Sequence, residues 1–199
     1  MASTRDRIVE AAIAALARDP AASMAAIAES AGVSRMTIHR HFKNREILIA
    51  AIQDALAERS LAIVDEAEQN HEDPRDQLRE IVELCASRSN GFQLLMEGAH
   101  DHAEHDRETC RFGEMNRKIR AMIQALQERG EIQPDLPIDW VSHSFDGVLF
   151  IAWECLRHGS VAPRDIPSLA WRTFSQGVFR RDAPLGPEGP DSGQSKERS

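Results

Sequence analysis

Residues 28–42, AESAGVSRMTIHRHF, combine side chains that suit a negatively charged partner. Four arginine and histidine side chains come directly after the turn-like segment Gly32-Val33-Ser34: Arg35, His39, Arg40 and His41. So many polar groups are not suited to a hydrophobic core. Guanidinium and imidazole groups do donate hydrogen bonds to phosphates and base edges. The stretch therefore indicates a contact with nucleic acid.

A second stretch, HDHAEHDRETC at residues 100–110, contains the side chains of a metal site. Imidazole, thiolate and carboxylate groups are all suitable ligands for zinc or nickel. The candidate ligands are His100, Asp101, His102, Glu104, His105, Asp106 and Cys110. Their spacing matches no established metal pattern, and an acidic, histidine-rich turn is also compatible with a solvated surface. A metal-responsive function is thus the alternative, and the sequence otherwise predicts no metal and no cofactor.

The charge distribution supports a nucleic-acid contact at one end of the chain. The net charge is −8, yet residues 1–50 hold seven Lys and Arg against five Asp and Glu, while the remaining 149 hold 17 against 27. Such asymmetry suggests a nucleic-acid partner for the basic part. Three scattered cysteines, no signal-peptide pattern and no long apolar run lead us to expect a cytoplasmic protein without a membrane partner.

Hydrophobic periodicity predicts an all-α fold with about nine helices. Residues 1–48 are predicted to form a three-helix helix-turn-helix DNA-binding domain. Residues 49–182 are predicted to form a helical domain, which the family resemblance given below implies to be a ligand-binding, regulatory and dimerisation domain. Residues 183–199 are predicted to be a disordered tail, because three prolines and three glycines accompany almost no core-forming side chain there.

Caps and breakers define the predicted helices. Ser23, Ser34 and Asn44 are N-cap candidates, and Gly32 ends the second helix. The buried stripe of the fourth helix is predicted to include Ile47, Leu48, Ala51, Ile52, Ala55, Leu56 and Ile63. Helices are predicted over 4–17, 24–31, 35–41, from 45 past 63, 74–90, 92–100, 106–129, 138–158 and 165–180.

Two short helices joined by a glycine turn are the helix-turn-helix pattern. The side chains predicted to point inward are Ile27, Val33, Ile38 and Phe42. The second helix of such a motif lies in the major groove, where arginine reads guanine and a methyl-bearing side chain contacts thymine. A solvated, mildly basic helical hairpin is the alternative for this pattern alone.

Residues 4–52 resemble the N-terminal DNA-binding domain of the TetR/AcrR family of bacterial transcriptional regulators. The resemblance rests on IVEAAIAALA and IAESAGVSRMTIHRHFKNREILIAAI, which match the family at Gly32, Val33, Ser34, Thr37, His41, Phe42, Arg45, Glu46 and Leu48. The chain departs from the family in having His39 for a usual tyrosine, Met36 for a small residue and Arg45 for a lysine. The expected DNA-binding residues are Ser23, Ser34, Arg35, Met36, Thr37, His39, Arg40, His41, Lys43 and Arg45, with His39, His41, Lys43 and Arg45 near phosphates.

The resemblance implies a homodimer formed by the last two helices. The helix from Trp140 to Leu156 is too apolar to bury only one side, since it is apolar almost all the way round between Phe145 and Trp153. A partner subunit is therefore expected on one side; a monomeric core helix is the alternative. The expected interface residues are Phe145, Leu149, Trp153, Leu156, Ile166, Leu169, Thr173 and Phe174.

The resemblance also implies a repressor that a small molecule releases from its operator. Methionine and aromatic side chains suit an adaptable pocket for a mostly apolar compound, although at helical spacing many of them are ordinary core. The expected ligand-binding residues are Phe92, Leu95, Met96, Phe112, Met115, Met122, Trp140, His143 and Phe150. No glycine-rich phosphate loop, nucleophile elbow or His-Glu-x-x-His motif is present, so we expect no enzymatic activity.

Overall fold

The computed structural model describes residues 3–87 and 111–180, which fold into eight α-helices. These are α1 (Thr4–Arg18), α2 (Met24–Ser30), α3 (Arg35–His41), α4 (Arg45–Asn70), α5 (Pro74–Ser87), α6 (Arg111–Glu128), α7 (Ile138–His158) and α8 (Ile166–Val178). The predicted all-α fold is confirmed. The helix expected over 92–100 and the tail expected from 183 lie outside the described residues.

Local sequence signals define the ends of the first four helices. A side-chain oxygen accepts a hydrogen bond of 3.0–3.2 Å from a first-turn backbone N–H in each, the cap residues being Ser3, Ser23, Ser34 and Asn44. Gly32 ends α2 with a φ of 64°, and the N–H of Val33 then donates to the carbonyl of Ala28 at 2.9 Å. Glycine takes this left-handed conformation without a steric penalty, so the tight turn before α3 depends on it.

A first hydrophobic cluster, the head core, joins α1, α2, α3 and the N-terminal part of α4. α1 packs against α2 and α4, and α2 packs against α3. The inward positions predicted for Ile27, Ile38 and Phe42 are confirmed, since all three are fully buried. Ile47 was expected in the α4 stripe but is 45% exposed, because the head packs against the side of α4 that carries Leu48.

A second cluster, the body core, runs from Ile63 in α4 to Phe179 just after α8. α4 packs against α5 and α6, and α8 packs against α5 and α7. The head core reaches Ala57, so the two cores divide α4 later than the boundary expected after residue 48. We call residues 3–57 the head and the described residues from 58 to 180 the body. In neither part is any described helix long and apolar enough to cross a bilayer.

Candidate nucleic-acid interface

Helix α3 buries one side in the head core and presents the other to solvent. Ile38 and the C-cap residue Phe42 are fully buried. The exposed side brings together four of the predicted DNA-binding residues: Arg35, Met36, His39 and Arg40. Met36 is 83% exposed, so its apolar side chain contributes almost nothing to the core and remains free to meet a thymine methyl group.

The cations on and just after α3 have no carboxylate partner among residues 3–87 and 111–180. Arg35, Arg40 and Lys43 make no ion pair with any carboxylate in the described part of the chain. Two guanidinium groups and one ammonium group therefore leave a patch of positive charge on and just after the exposed side of α3. Such a patch attracts phosphate.

Three predicted hydroxyl contacts shape the helices at this surface. Ser23 Oγ accepts the N–H of Ala26 at 3.2 Å, and Ser34 Oγ accepts the N–H of Thr37 at 3.1 Å. The hydroxyls of Ser34 and Thr37 also lie 2.9 Å apart. Their hydrogen bonds are thus used at least in part to cap α2 and α3, which fixes where each helix begins.

His41 and Arg45 are partly buried rather than fully presented on the open surface. His41 is half-buried, and its Nε2 atom is shielded from solvent without a hydrogen-bond partner among the described residues. The guanidinium of Arg45 donates to the backbone carbonyls of Pro20 and Ala22. Both residues were expected near phosphates. That expectation did not allow for their partial burial, because spacing along α3 and α4 does not reveal which side chains fold back onto the head.

Arg5 is a cation at this surface that pattern analysis did not single out. Its guanidinium lies 5.3 Å from the centre of the Phe42 ring, at the end of α3, and its side chain is exposed. The sequence contains only the weak signal that Arg5 is one of seven basic residues in the first 50. Its position next to α3 arises from the packing of α1.

The described ligand-binding candidates do not form one lining. Met115 and Met122 are buried in the body core, whereas Trp140 is 65% and Phe150 44% exposed on α7. Phe112 is half-buried and contacts both cores. His143 is exposed, and its Nδ1 lies 2.7 Å from the carbonyl oxygen of Asp139. Phe92, Leu95 and Met96 lie outside the described residues.

One carboxyl group of α7 is largely kept from water. Burial raises the pKa of Asp146 from 3.8 to about 6, and the nearby His143 partly offsets this increase. Desolvation disfavours the charged form of a carboxylic acid, which explains the direction of the shift. Asp146 was not among the predicted site residues, because nothing local distinguishes it from the other acidic residues of the body.

The residues expected at a dimer interface divide into two groups. Phe145 and Phe174 are fully buried in the core of the chain, with ring centres 5.3 Å apart in an edge-to-face arrangement, and leave no surface for a partner. Leu149, Trp153 and Ile166 are also buried. Leu156 and Leu169 are half-buried, and Thr173 is exposed.

An apolar groove runs between α7 and α8 on the surface of the chain. Its lining consists of Val148, Ile151, Ala152, Cys155, Val161, Ile166, Leu169, Ala170 and Thr173. Ile151 is 56% exposed at its edge, and the neighbouring Phe150 is also exposed. Sequence periodicity marked α7 as apolar almost all the way round and α8 as carrying one apolar stripe, but it did not show which residues face the body core.

The histidine-rich stretch over residues 100–110 lies outside the described residues. Within residues 3–87 and 111–180, no three His, Cys, Asp or Glu side chains are grouped so as to hold a metal ion.

Comparison with known proteins matches the head to an established family. Residues 8–52 match the family model described as bacterial regulatory proteins, tetR family. The chain is 26% identical over 156 residues to the HTH-type transcriptional repressor LfrR of Mycolicibacterium smegmatis, covering 78% of this chain and 80% of LfrR.

Solved structures share the fold. LfrR in complex with proflavine superposes with a TM-score of 0.74 at 22% identity, covering 89% of this chain and 97% of that one. The ketosteroid transcriptional regulator KstR2 of Mycobacterium tuberculosis superposes with a TM-score of 0.63 at 16% identity, covering 90% and 97%. The exposed basic side of α3, the family match of the head and the shared helical architecture all agree with the predicted family. The head therefore matches the tetR family of bacterial regulatory proteins, and the chain shares the fold of TetR-like transcriptional regulators, which are not enzymes.

Proposed function

We propose that the chain is a homodimeric repressor, acting in the cytoplasm, that places α3 in the major groove of operator DNA and leaves it when a small molecule binds the body. The observation that carries the proposal is the exposed side of α3, where cations that have no carboxylate partner among the described residues flank the exposed Met36. Base-edge contacts come from Arg35, Met36 and Thr37. Phosphate contacts come from Arg5, His39, Arg40 and Lys43.

A dimer is supported by the outer surfaces of α7 and α8. A two-fold dimer sets two recognition helices about 34 Å apart, in successive major grooves. Exposed Ile151 and half-buried Leu169 supply apolar area at the groove between the helices. A Cβ added to Gly147 or Gly177 would meet no atom within 4 Å, so packing within the chain does not require glycine there. Glycine inside a helix costs about 1 kcal/mol relative to alanine, and close approach of a partner helix would explain its presence.

A small, mostly apolar effector is supported by a relative. LfrR has been solved in complex with proflavine, and that structure superposes on 89% of this chain with a TM-score of 0.74. The half-buried Asp146 and the aromatic pair Phe150 and Trp153, whose ring centres lie 5.7 Å apart, offer polar and apolar contacts on α7. Ligand pockets combine apolar lining with a few polar groups in this way.

The DNA-binding part of the proposal is tested by selecting from a random-sequence DNA pool with the intact chain. We expect enrichment of a palindromic site whose half-sites are one helical turn apart, and an affinity that decreases steeply as salt is added. Equal and salt-insensitive binding of all sequences would contradict the proposal.

The effector part is tested by tryptophan fluorescence. All three tryptophans, Trp140, Trp153 and Trp171, lie in α7 and α8, so a change in emission reports on the body. A screen of small aromatic compounds that do not intercalate in DNA is expected to yield quenchers that also release the operator. A ligand that weakens operator binding tenfold must bind the DNA complex tenfold more weakly, which corresponds to about 1.4 kcal/mol. Quenchers that leave operator affinity unchanged would contradict this mechanism.

A further inference from the structure

We infer that Arg45 is a positioning residue that holds the start of α2 in register with the start of α4, and that it does not bind phosphate. The inference rests on the proposed function, because it concerns how the DNA-binding surface is held. It assigns Arg45 a role different from the phosphate contact that the sequence pattern predicted.

The side chain of Arg45 crosses from α4 to the connection between α1 and α2. Arg45 is the first residue of α4, and it is half-buried. Its Nη2 atom donates to the carbonyl of Pro20 at 2.7 Å, and its Nη1 atom donates to the carbonyl of Ala22. Both nitrogens at the tip of one guanidinium are therefore used within the protein.

The acceptors belong to the turn that joins α1 to α2. The N–H of Ala22 donates to the carbonyl of Asp19 at 2.9 Å, and the N–H of Ala21 to the Asp19 carboxylate at 2.9 Å. These bonds use the N–H groups of the turn, whereas Arg45 supplies donors to two of its carbonyls. A part-buried carbonyl left without a donor costs free energy, so the guanidinium stabilises this backbone conformation.

The position of α2 follows directly from this turn. Ser23, the N-cap of α2, is the residue after Ala22, and α2 packs against α3. The other end of α3 leads within a few residues into α4, where Arg45 begins the helix. The guanidinium thus joins the two elements that flank the recognition helix, and we expect it to set the tilt of α3.

Arginine suits this role better than the lysine that is usual in the family. The planar guanidinium presents N–H groups in a fixed fork that can reach two acceptors, whereas an ammonium group is a point charge on a flexible stem. A lysine at position 45 keeps the charge but not the paired geometry. Arg45→Lys therefore separates a positioning role from a phosphate contact.

Lys43 provides the matched control. It lies two residues before Arg45, is exposed, and has no carboxylate partner in the described part of the chain. Each phosphate contact contributes about 0.9 to the slope of log affinity against log salt on duplex DNA. Lys43→Ala should lower that slope by about this amount.

The experiment compares four proteins on the selected operator over a range of KCl: the wild type, Arg45→Lys, Arg45→Ala and Lys43→Ala. We expect both Arg45 variants to lose affinity by roughly tenfold, the cost of leaving polar groups unpaired, with the wild-type salt slope. Wild-type affinity for Arg45→Lys, or a slope lowered by about 0.9 in Arg45→Ala, would overturn the inference. Circular dichroism checks that each variant is folded, and if Arg45→Ala unfolds, Arg45→Lys alone decides.

A DNA-free measurement keeps this inference separate from the proposed function. Hydrogen exchange of the intact protein should show faster exchange at the amides of Ala21 and Ala22 in Arg45→Lys, while the amides buried in α1 stay protected. Unchanged exchange at the turn would overturn the positioning role even if DNA binding is specific. If no operator is found but the turn exchanges faster, the proposed function fails and the structural role of Arg45 stands.

Discussion

Basic side chains are held differently in the body and at the recognition helix of the head. In the body, Lys118 Nζ lies 2.8 Å from Asp65 Oδ1 and 2.5 Å from Glu68 Oε2, which ties α6 to α4. These two hydrogen-bonded carboxylates raise the pKa of the Lys118 ammonium group above its ordinary value. Arg75, Arg120, Arg129 and Arg157 of the body likewise pair with carboxylates.

At α3 and the residues just after it, no such ion pair occurs within the described part of the chain. Arg35, Arg40 and Lys43 make no ion pair among the described residues, although acidic residues are abundant elsewhere in the chain. A paired cation fixes two elements to each other, whereas an unpaired one leaves its charge available for an external anion. The difference therefore separates cations that hold the fold from cations that we propose to bind DNA, which residue type alone does not do.

The largest expected effect comes from separating the two heads of a dimer. Ile151→Glu places a charge at the exposed edge of the groove between α7 and α8, where the single chain tolerates it. We expect a folded monomer whose operator affinity is lower by roughly 100-fold or more, because linking two binding modules raises avidity by about 10²–10⁴. Sedimentation velocity and fluorescence anisotropy measure the two effects.

Ala121→Glu is the matched control, since it adds the same charge on the exposed side of α6. It should leave both the sedimentation coefficient and operator affinity unchanged. A wild-type protein that sediments as a monomer at micromolar concentration would contradict the dimer, and so would a dimeric Ile151→Glu variant.

Local signals explain why much of the head was predictable from sequence. Ser23, Ser34 and Asn44 cap their helices within a few residues of chain, and Gly32 forms its turn by itself. Such features depend on neighbours in sequence, so residue type and spacing are enough to identify them.

The features that could not be predicted from sequence depend on contacts between residues that are far apart along the chain. Arg45 binds carbonyls 23 and 25 positions away, and no local pattern encodes those partners. In α7 apolar residues occur almost all the way round, and in α8 the pattern gives one stripe, so periodicity did not show that Phe145 and Phe174 are buried in the chain's own core while Ile151 is exposed. Tertiary packing decides which apolar side faces the chain's own core, and for these helices that information is absent from the spacing.

A base-reading contact should have the next largest effect. Arg35→Ala removes an exposed guanidinium from the first turn of α3, and we expect operator affinity to fall by about 1–3 kcal/mol with relaxed preference at one base pair. Repeating the selection with the variant measures both. Arg18→Ala is the control, because that head arginine bonds to the carbonyl of Ala14 in its own helix, at 3.1 Å. If Arg35→Ala selects the wild-type site with equal stringency, Arg35 does not contact a base edge.

Asp146 contrasts with the exposed cations of the head, because it is an ionisable group that the body shields from water. Because its folded pKa of about 6 is above the ordinary 3.8, the folded state binds more protons between these pH values. The free energy of unfolding should therefore decrease as pH rises from about 4 to 6 and then level off.

Asp146→Asn should remove this dependence and stabilise the protein at pH 8 by on the order of 1–2 kcal/mol, with no gain near pH 4. Urea unfolding of the wild type and the variant at both pH values provides the measurement. An equal difference in stability at the two pH values would show that burial of the charged carboxylate is not its source.

The smallest effect compares one lysine from each region directly. Lys43→Ala removes an exposed head cation without a carboxylate partner in the described residues, and Lys118→Ala removes a body cation held by Asp65 and Glu68. We expect Lys43→Ala to weaken binding to all DNA sequences alike, several-fold at moderate salt, and to leave the unfolding midpoint unchanged. Lys118→Ala should leave operator affinity and its salt slope at wild-type values and lower the free energy of unfolding by less than about 1 kcal/mol, as is usual for solvent-accessible ion pairs. Equal salt slopes for the two variants would mean that the absence of a carboxylate partner does not identify the phosphate-binding cations. The distinction between the head and the body would then have to rest on position along α3 alone.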